Sequence, residues 1–337
     1  MLKALRPSPP SPATIAVTVG YFGKIPSHGD FVKGSDNPAL VKLLDDWLAR
    51  AMDLMMAGAQ WKTNYDAVAP LHFVIAGPRR RHAIAGHIVA SSDESGRRFP
   101  FLMMGMFDVA EPGAFIPAAP LMLGRLWSRL ESLSQGVVTA VDADAQLQAA
   151  AGQAVDLDLR ADAHAAAFTD FIEYQSLDTL QALLAQAGHA GSVRQVLLAL
   201  GMLLQPVLAS STSRLEKSLV LPLPADPLYR GLVGAYWMHA IAPFLARADF
   251  ELALFVTRIG ERPRLVLGFG GASAHTLQAI MDPQAAGERH IAFDDLDWVE
   301  DQVDTDYAVT KVSRHLKRPD VSLKSALDAL CAAFIGT

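Results

Sequence analysis

The chain has 337 residues, 51% of them hydrophobic and 19% charged, with a formal net charge of −6. This is a globular composition, with enough length for about two domains of roughly 100–150 residues each. The acidic balance argues against non-specific nucleic-acid binding, which depends on Lys and Arg neutralising phosphates. The single cysteine, Cys331, excludes an internal disulfide and a thiolate-based zinc site within one chain. It falls at helical spacing with Leu323, Leu327, Leu330 and Phe334, so a buried, inert thiol in a reducing compartment is expected.

Residues 1–13 carry Pro7, Pro9, Pro10 and Pro12 and are expected to form a disordered tail. Those prolines break the apolar run that a secretory signal needs, and no later stretch resembles a membrane span. A cytoplasmic protein without membrane insertion is therefore expected. A first strand is expected over 15–22, followed by a break at 24–33 around Pro26 and Gly29. Asn37 then caps a helix with Pro38 in its first turn. Leu40, Leu43, Leu44, Trp47, Leu48, Ala51, Met52 and Met55 form its apolar stripe.

Strands are expected at 71–76 and 82–90, joined by the Gly77-Pro-Arg-Arg-Arg81 turn, and again at 99–107. A second amphipathic helix is expected at 121–133. The short connections favour antiparallel pairing, because parallel strands need a long crossover. The Ala-, Asp- and Gln-rich stretch 140–162 reads as a linker or surface excursion. Beyond it, helical patterns cover 163–186, 193–208 and 229–246, the last kinked by Pro243. Strands are expected at 215–221, 250–259 and 264–269, with a short helix at 273–281. The class is α/β (α+β): an antiparallel or mixed sheet flanked by helices, with a second helical or α+β domain. The expected division is a 1–13 tail, a 14–150 domain and a 160–337 extension.

Standard catalytic apparatus is mostly missing from the sequence. The turn Gly268-Phe-Gly-Gly-Ala-Ser273 lies between a strand and a helix but lacks the lysine of a phosphate-binding loop, so a cap by Ser273 explains it better. The acidic run Asp294, Asp295, Asp297, Glu300, Asp301, Asp304 and Asp306 lacks calcium-loop spacing and reads as a solvated face or a dock for a basic partner. The ten histidines show no metal-ligand or catalytic spacing; His82 and His87 fall on opposite faces of their strand. No cofactor is expected.

Two segments stand out. Residues 20–32 place Lys24, Ser27, His28 and Asp30 in a turn bounded by Gly and Pro. Residues 91–100 set Asp93, Arg97 and Arg98 around Gly96. Asp30 and Asp93 are both candidate partners for Arg97 or Arg98. These charges either lock two loops together or meet a partner; an enzyme pocket lined by Lys24, Ser27, His28 and Asp30 is the alternative.

The run Gly23-Lys-Ile-Pro-Ser-His-Gly-Asp-Phe31, followed by Asp93-Glu-Ser-Gly-Arg-Arg-Phe-Pro100, resembles the two motifs of the TagF family of bacterial type VI secretion-associated proteins. The resemblance covers about residues 17–150 and rests on Gly23, Lys24, Pro26, Gly29, Asp30, Phe31, Asp93, Gly96, Arg97, Phe99 and Pro100. It implies an α/β module with an antiparallel sheet. It also implies a cytoplasmic, non-catalytic accessory role in the post-translational regulation of secretion assembly. Partners would be type VI secretion components, a forkhead-associated scaffold protein among them. It assigns no chemical role to the motif residues, which would bind a partner or brace the fold. The C-terminal half lacks the aspartate pattern of the phosphatase domain that can accompany this module, and reads as a family-specific extension.

Overall fold

The computed structural model describes residues 14–160, 162–209, 215–246, 248–318 and 320–336. The tail expected at 1–13 lies outside the described residues. The first half holds β1 (Ile15–Thr18), β2 (Gly20–Gly23), β3 (Val32–Gly34), α1 (Pro38–Met56), α2 (Trp61–Asp66), β4 (Leu71–Ala76), β5 (His82–Val89), β6 (Phe101–Asp108), α3 (Pro112–Met122), α4 (Gly124–Val138), α5 (Asp144–Ala150) and β7 (Ala154–Leu157). The second half continues with α6 (Ala165–Tyr174), α7 (Leu177–Gln186), α8 (Val193–Ala209), β8 (Ser218–Pro222), α9 (Pro227–Leu245), β9 (Leu252–Ile259), β10 (Arg262–Gly268), α10 (Ala274–Met281), α11 (Pro283–Arg289), β11 (His290–Ala292), α12 (Asp297–Val303), α13 (Tyr307–Leu316) and α14 (Leu323–Phe334).

Nine strands form one sheet in the order β11-β8-β10-β9-β4-β5-β6-β2-β3. Its pairings are antiparallel except for β11 on β8. The strands alternate between two apolar cores. Leu71, Phe73 and Ile75 of β4 face α1 and α10, while Val74 and Ala76 face the opposite helical layer with α3, α4 and α9. Burial on both faces is why these strands read as nearly continuous apolar runs. At the centre β4 pairs with β9, in register from His72 opposite Val256 to Ala76 opposite Leu252. The sheet thus runs without a break through both the 14–150 and 160–337 segments. The class is a mixed α/β sheet flanked by helices, with a largely helical C-terminal region.

The cap at α1 forms as the sequence indicates, with Asn37 Oδ1 accepting from the Leu40 backbone N–H. Its stripe is buried from Leu40 to Met55, except that Leu43 is largely exposed. Several elements differ from expectation. The single strand at 15–22 is two strands: β1 leaves the main sheet to pair with β7, and β2 enters the sheet beside β6. Val17 of β1 lies over Gly105 of β6, where a Cβ would overlap its Cγ1, so glycine is what permits the crossing. The expected linker at 140–162 holds α5 and β7, elements too short and too sparsely apolar for a periodic signal, which bury Leu147, Ala150, Val155 and Leu157.

The helix expected at 121–133 is the junction of two, α3 and α4, which meet at Leu123. Their apolar positions run on across the joint, which hides the break. The pattern at 163–186 also divides. Gln175 and Ser176 are extended between α6 and α7, Ser176 caps α7, and the break is held by Leu177 N–H to Val321 O and Leu323 N–H to Gln175 O. Neither β3, α2 nor the short α11 and β11 was anticipated.

A buried histidine pair is a further feature that the spacing did not disclose. His72 of β4 and His87 of β5 are direct cross-strand neighbours with their Nδ1 atoms 3.0 Å apart, so one ring donates and the other accepts. His72 also stacks on Trp127 at 5.5 Å. Burial, then the neighbouring His87 and Arg230, push the His72 pKa down to about 3, and burial pushes that of His87 down to about 4. The pairing escaped detection because histidines were compared along one strand rather than across two.

Two outcomes follow from this packing. Leu44 is fully buried under the sheet, and Leu44→Ala should cost about 2–5 kcal/mol in urea denaturation. The histidines are neutral when folded, yet charge near pH 6.5 when unfolded. Between about pH 6.5 and pH 4 the unfolded chain therefore binds more protons, and stability should fall as pH falls through that window. Urea midpoints at stepped pH should drop less steeply for His87→Gln than for the wild type.

Candidate functional site

The two singled-out segments meet at one end of the sheet. The first is the loop of the β2–β3 hairpin, and the second joins β5 to β6. Because β2 pairs with β6, Gly23 lies opposite Phe101. Gly23 has φ +134°, and a Cβ there would collide with the Pro100 carbonyl oxygen, so only glycine fits this crossing. The Glu94 N–H donates to His28 O at 2.9 Å and ties the loop backbones together.

Asp93 is the hub. It is 2% exposed. Its Oδ2 accepts from Lys24 Nζ at 2.8 Å and Arg97 Nε at 2.7 Å. Its Oδ1 accepts from the backbone N–H groups of Ser95 at 3.0 Å and Arg97 at 2.9 Å. The Lys24 ammonium foremost, with the Arg97 donors, holds the carboxyl down to about 2, so it is ionised throughout the physiological range. Arg97 then reaches across to Gly29 O at 2.7 Å. Of the two carboxylates expected to meet Arg97, Asp93 does and Asp30 does not; Asp30 Oδ1 accepts from the adjacent Phe31 N–H instead.

The strongest partner of Asp93 was missed. Lys24 is itself 8% exposed, and a lysine between the buried Gly23 and Ile25 was the available signal that it needed an internal anion. Arg98 makes a bidentate pair with Asp66 at 2.7 and 2.6 Å. That partner was invisible because it lies on α2, which the sequence did not announce.

Above the ionic hub sits an aromatic cluster. Phe31 stacks on Phe22 at 5.4 Å and meets Phe99 edge-on at 4.9 Å, with Lys24 Nζ 5.0 Å from its ring centre. Phe31 is nonetheless 42% exposed. Pro26, Gly29 and Asp30 are exposed beside it, while Pro100 is buried. The motif thus combines a buried clamp with a rigid outward face.

The enzyme pocket envisaged around Lys24, Ser27, His28 and Asp30 does not assemble. Lys24 is spent on Asp93, and Asp30 points into solvent. Ser27 Oγ does lie 3.1 Å from His28 Nδ1, and His28 Nε2 lies 3.1 Å from Asp144 Oδ1. However, the Asp144 side chain is 71% exposed, and the neighbouring hollow of about 460 Å³ is lined by Pro26, Tyr65, Ser91, Arg98 and others rather than by Ser27 or His28. The string ties the first motif to α5.

Elsewhere, the largest described hollow, about 940 Å³, lies between α1 and the loop after β10, with Asp46, Arg50, Glu251 and Arg289 among its lining residues. No motif residue contributes to it. The turn before α10 is a cap, with Ser273 Oγ accepting from Thr276 N–H, and the Glu251 side chain crowds Gly271, which leaves the turn unsuited to an anion. In the acidic run, Asp294 is engaged by Arg262 and Arg264, and Glu300 by Arg194. Among the described residues no group of three or more His, Cys, Asp or Glu could hold a metal ion, and no helix is long and apolar enough to cross a membrane. Cys331 is only half-buried, with its pKa raised by partial burial.

The clamp predicts an order of effects. Lys24→Met leaves the buried Asp93 carboxylate short of its main countercharge. It should lower the thermal midpoint more than Arg97→Ala, whose side chain is 63% exposed. Adding Asp93→Leu to Lys24→Met should recover part of the loss, because an apolar pair leaves no orphaned charge. Circular dichroism melts at pH 7 read all four proteins.

Residues 20–154 match the family model described as the TagF N-terminal domain, type VI secretion system-associated. No curated protein matches the chain. Among solved structures, that of PA0076 from Pseudomonas aeruginosa PAO1 is 28% identical over 40% of this chain, with a TM-score of 0.34. The match spans 61% of that protein's length. The matched region takes in β2 through α5, including the Asp93 clamp and every motif residue set out above. Residues 20–154 of this chain belong to the TagF N-terminal domain family.

Proposed function

We propose that this chain is a non-catalytic accessory regulator of type VI secretion assembly. It works in the cytoplasm by binding another component of the system, and a forkhead-associated scaffold protein is the first partner to test. The family match of residues 20–154 supports the system. The observation that carries a binding role is how the motif side chains are used. Lys24, Asp93 and Arg97 satisfy one another, and the result holds Phe31 outward on a fixed base rather than lining a cavity. A rigid aromatic beside exposed charge is the kind of group that carries interface energy. The 160–337 segment acts in this reading as an extension that completes the sheet and covers its far face.

Calorimetry between the purified chain and the forkhead-associated scaffold from the same bacterium tests the reading. Binding should weaken by about tenfold or more for Phe31→Ala, with the melting midpoint of the chain little changed. Absence of binding to the scaffold and to the other assembly components would refute it.

One observation favours a hydrolase as the second reading, namely the Ser27–His28–Asp144 hydrogen-bond string. A serine esterase would cleave p-nitrophenyl acetate faster than free imidazole does and lose that rate in Ser27→Ala. Equal rates for the two proteins would eliminate it.

A further inference from the structure

The C-terminal helices enclose a groove remote in sequence from the motif loops and outside the family match. It lies among α8, α12, α13 and α14, holds about 330 Å³, and has Met202, Gln205, Trp298, Val309 and Phe334 in its walls. That is room for one or two aliphatic side chains. Trp298 is 39% exposed on its rim and Tyr307, at the start of α13, is 85% exposed. Trp and Tyr left in water beside a hollow are the residue types that dominate interface energetics.

The surrounding charge has one sign. Residues 294–306 contain seven carboxylates and no Lys or Arg. Asp294 and Glu300 are neutralised by arginines of β10 and α8, and Asp306 caps α13 by accepting from the N–H groups of Ala308 and Val309. Asp297, Asp301 and Asp304 are exposed and form no ion pair with a described residue. The nearest cations on α13, Lys311 and Arg314, lie roughly on the far side of that helix from Val309 at 3.6 residues per turn. The groove therefore presents an apolar slot under an uncompensated negative rim.

The geometry points to this groove as a docking site for a basic, amphipathic segment of a partner protein, one that inserts an aliphatic side chain beside Trp298 and sets Lys or Arg against Asp297, Asp301 and Asp304. The complementarity is twofold. The apolar slot supplies contact area, and the free carboxylates steer the approach of a cationic segment and fix its register. This site is separate from the Phe31 surface and does not depend on which partner that surface takes.

The test uses the full chain and a fluorescein-labelled amphipathic peptide of Leu and Lys at helical spacing, read by anisotropy at about 0.15 M salt. Trp298→Ala and the triple neutralisation Asp297→Asn, Asp301→Asn, Asp304→Asn should each weaken binding by about tenfold or more. The matched control Asp36→Asn, Glu111→Gln, Glu261→Gln should change it less than about twofold. Circular dichroism confirms that each variant folds, and the triple variant keeps the test decisive if Trp298→Ala does not. Absence of peptide binding, or equal weakening in the control, would overturn the proposal. So would a rise in affinity on deleting residues 1–13, because the chain's own Lys3 and Arg6 would then be the occupant.

Discussion

The pairing of β4 with β9 is the constraint from which the architecture follows. It joins strands from the two halves of the chain at the middle of one sheet, and each half then has to cover part of both faces. On one face α1 and α10, one from each half, share a core built on Phe73, Trp47, Phe255 and Leu277. On the other face α4 lies over β5 and β6, and α9 packs with α3. Neither set of helices could bury its apolar side without strands supplied by the other half. Burial of this kind, at about 1.5–3 kcal/mol for each large side chain removed from water, is what holds the two segments together.

The motif region is built on the same sheet but obeys a different economy. A buried carboxylate is tolerable only when its lone pairs are filled and its charge is met. Asp93 satisfies both requirements with Lys24, Arg97 and two backbone donors. The glycines at 23 and 96 make this possible through positive φ values of 134° and 75°. The clamp therefore explains why so many motif residues are small, charged or proline without invoking catalysis. Its product is a fixed presentation of Phe31, with its ring held by Phe22, Phe99 and the Lys24 ammonium.

Two surfaces of opposite kind emerge on the two halves. The Phe31 surface is aromatic, beside the exposed Arg97 side chain and Asp30. The α8–α12–α13–α14 groove is apolar under carboxylates that lack local cations. The continuous sheet fixes both on one scaffold, so occupants of the two surfaces would be held in a set relation to each other.

Much was legible in the linear sequence because it is local chemistry. The Asn37-Pro38 start of α1, its heptad-like stripe, the β9–β10 hairpin and the Ser273 cap all depend on residues within a few positions of one another. The motif residues were also visible as a pattern, and the pattern named the family of residues 20–154. What tertiary structure decided were the long-range partnerships. The Lys24–Asp93 pair, the facing His72 and His87 rings, the Arg98–Asp66 fork and the seam of β4 with β9 join residues far apart along the chain. Periodicity reports which face of an element is apolar, but not which other element will cover it. Asp30 and Asp93 looked equivalent as partners for Arg97. The fold chose Asp93 because the crossing at Gly23 buries that carboxylate beside Lys24 and leaves Asp30 in water.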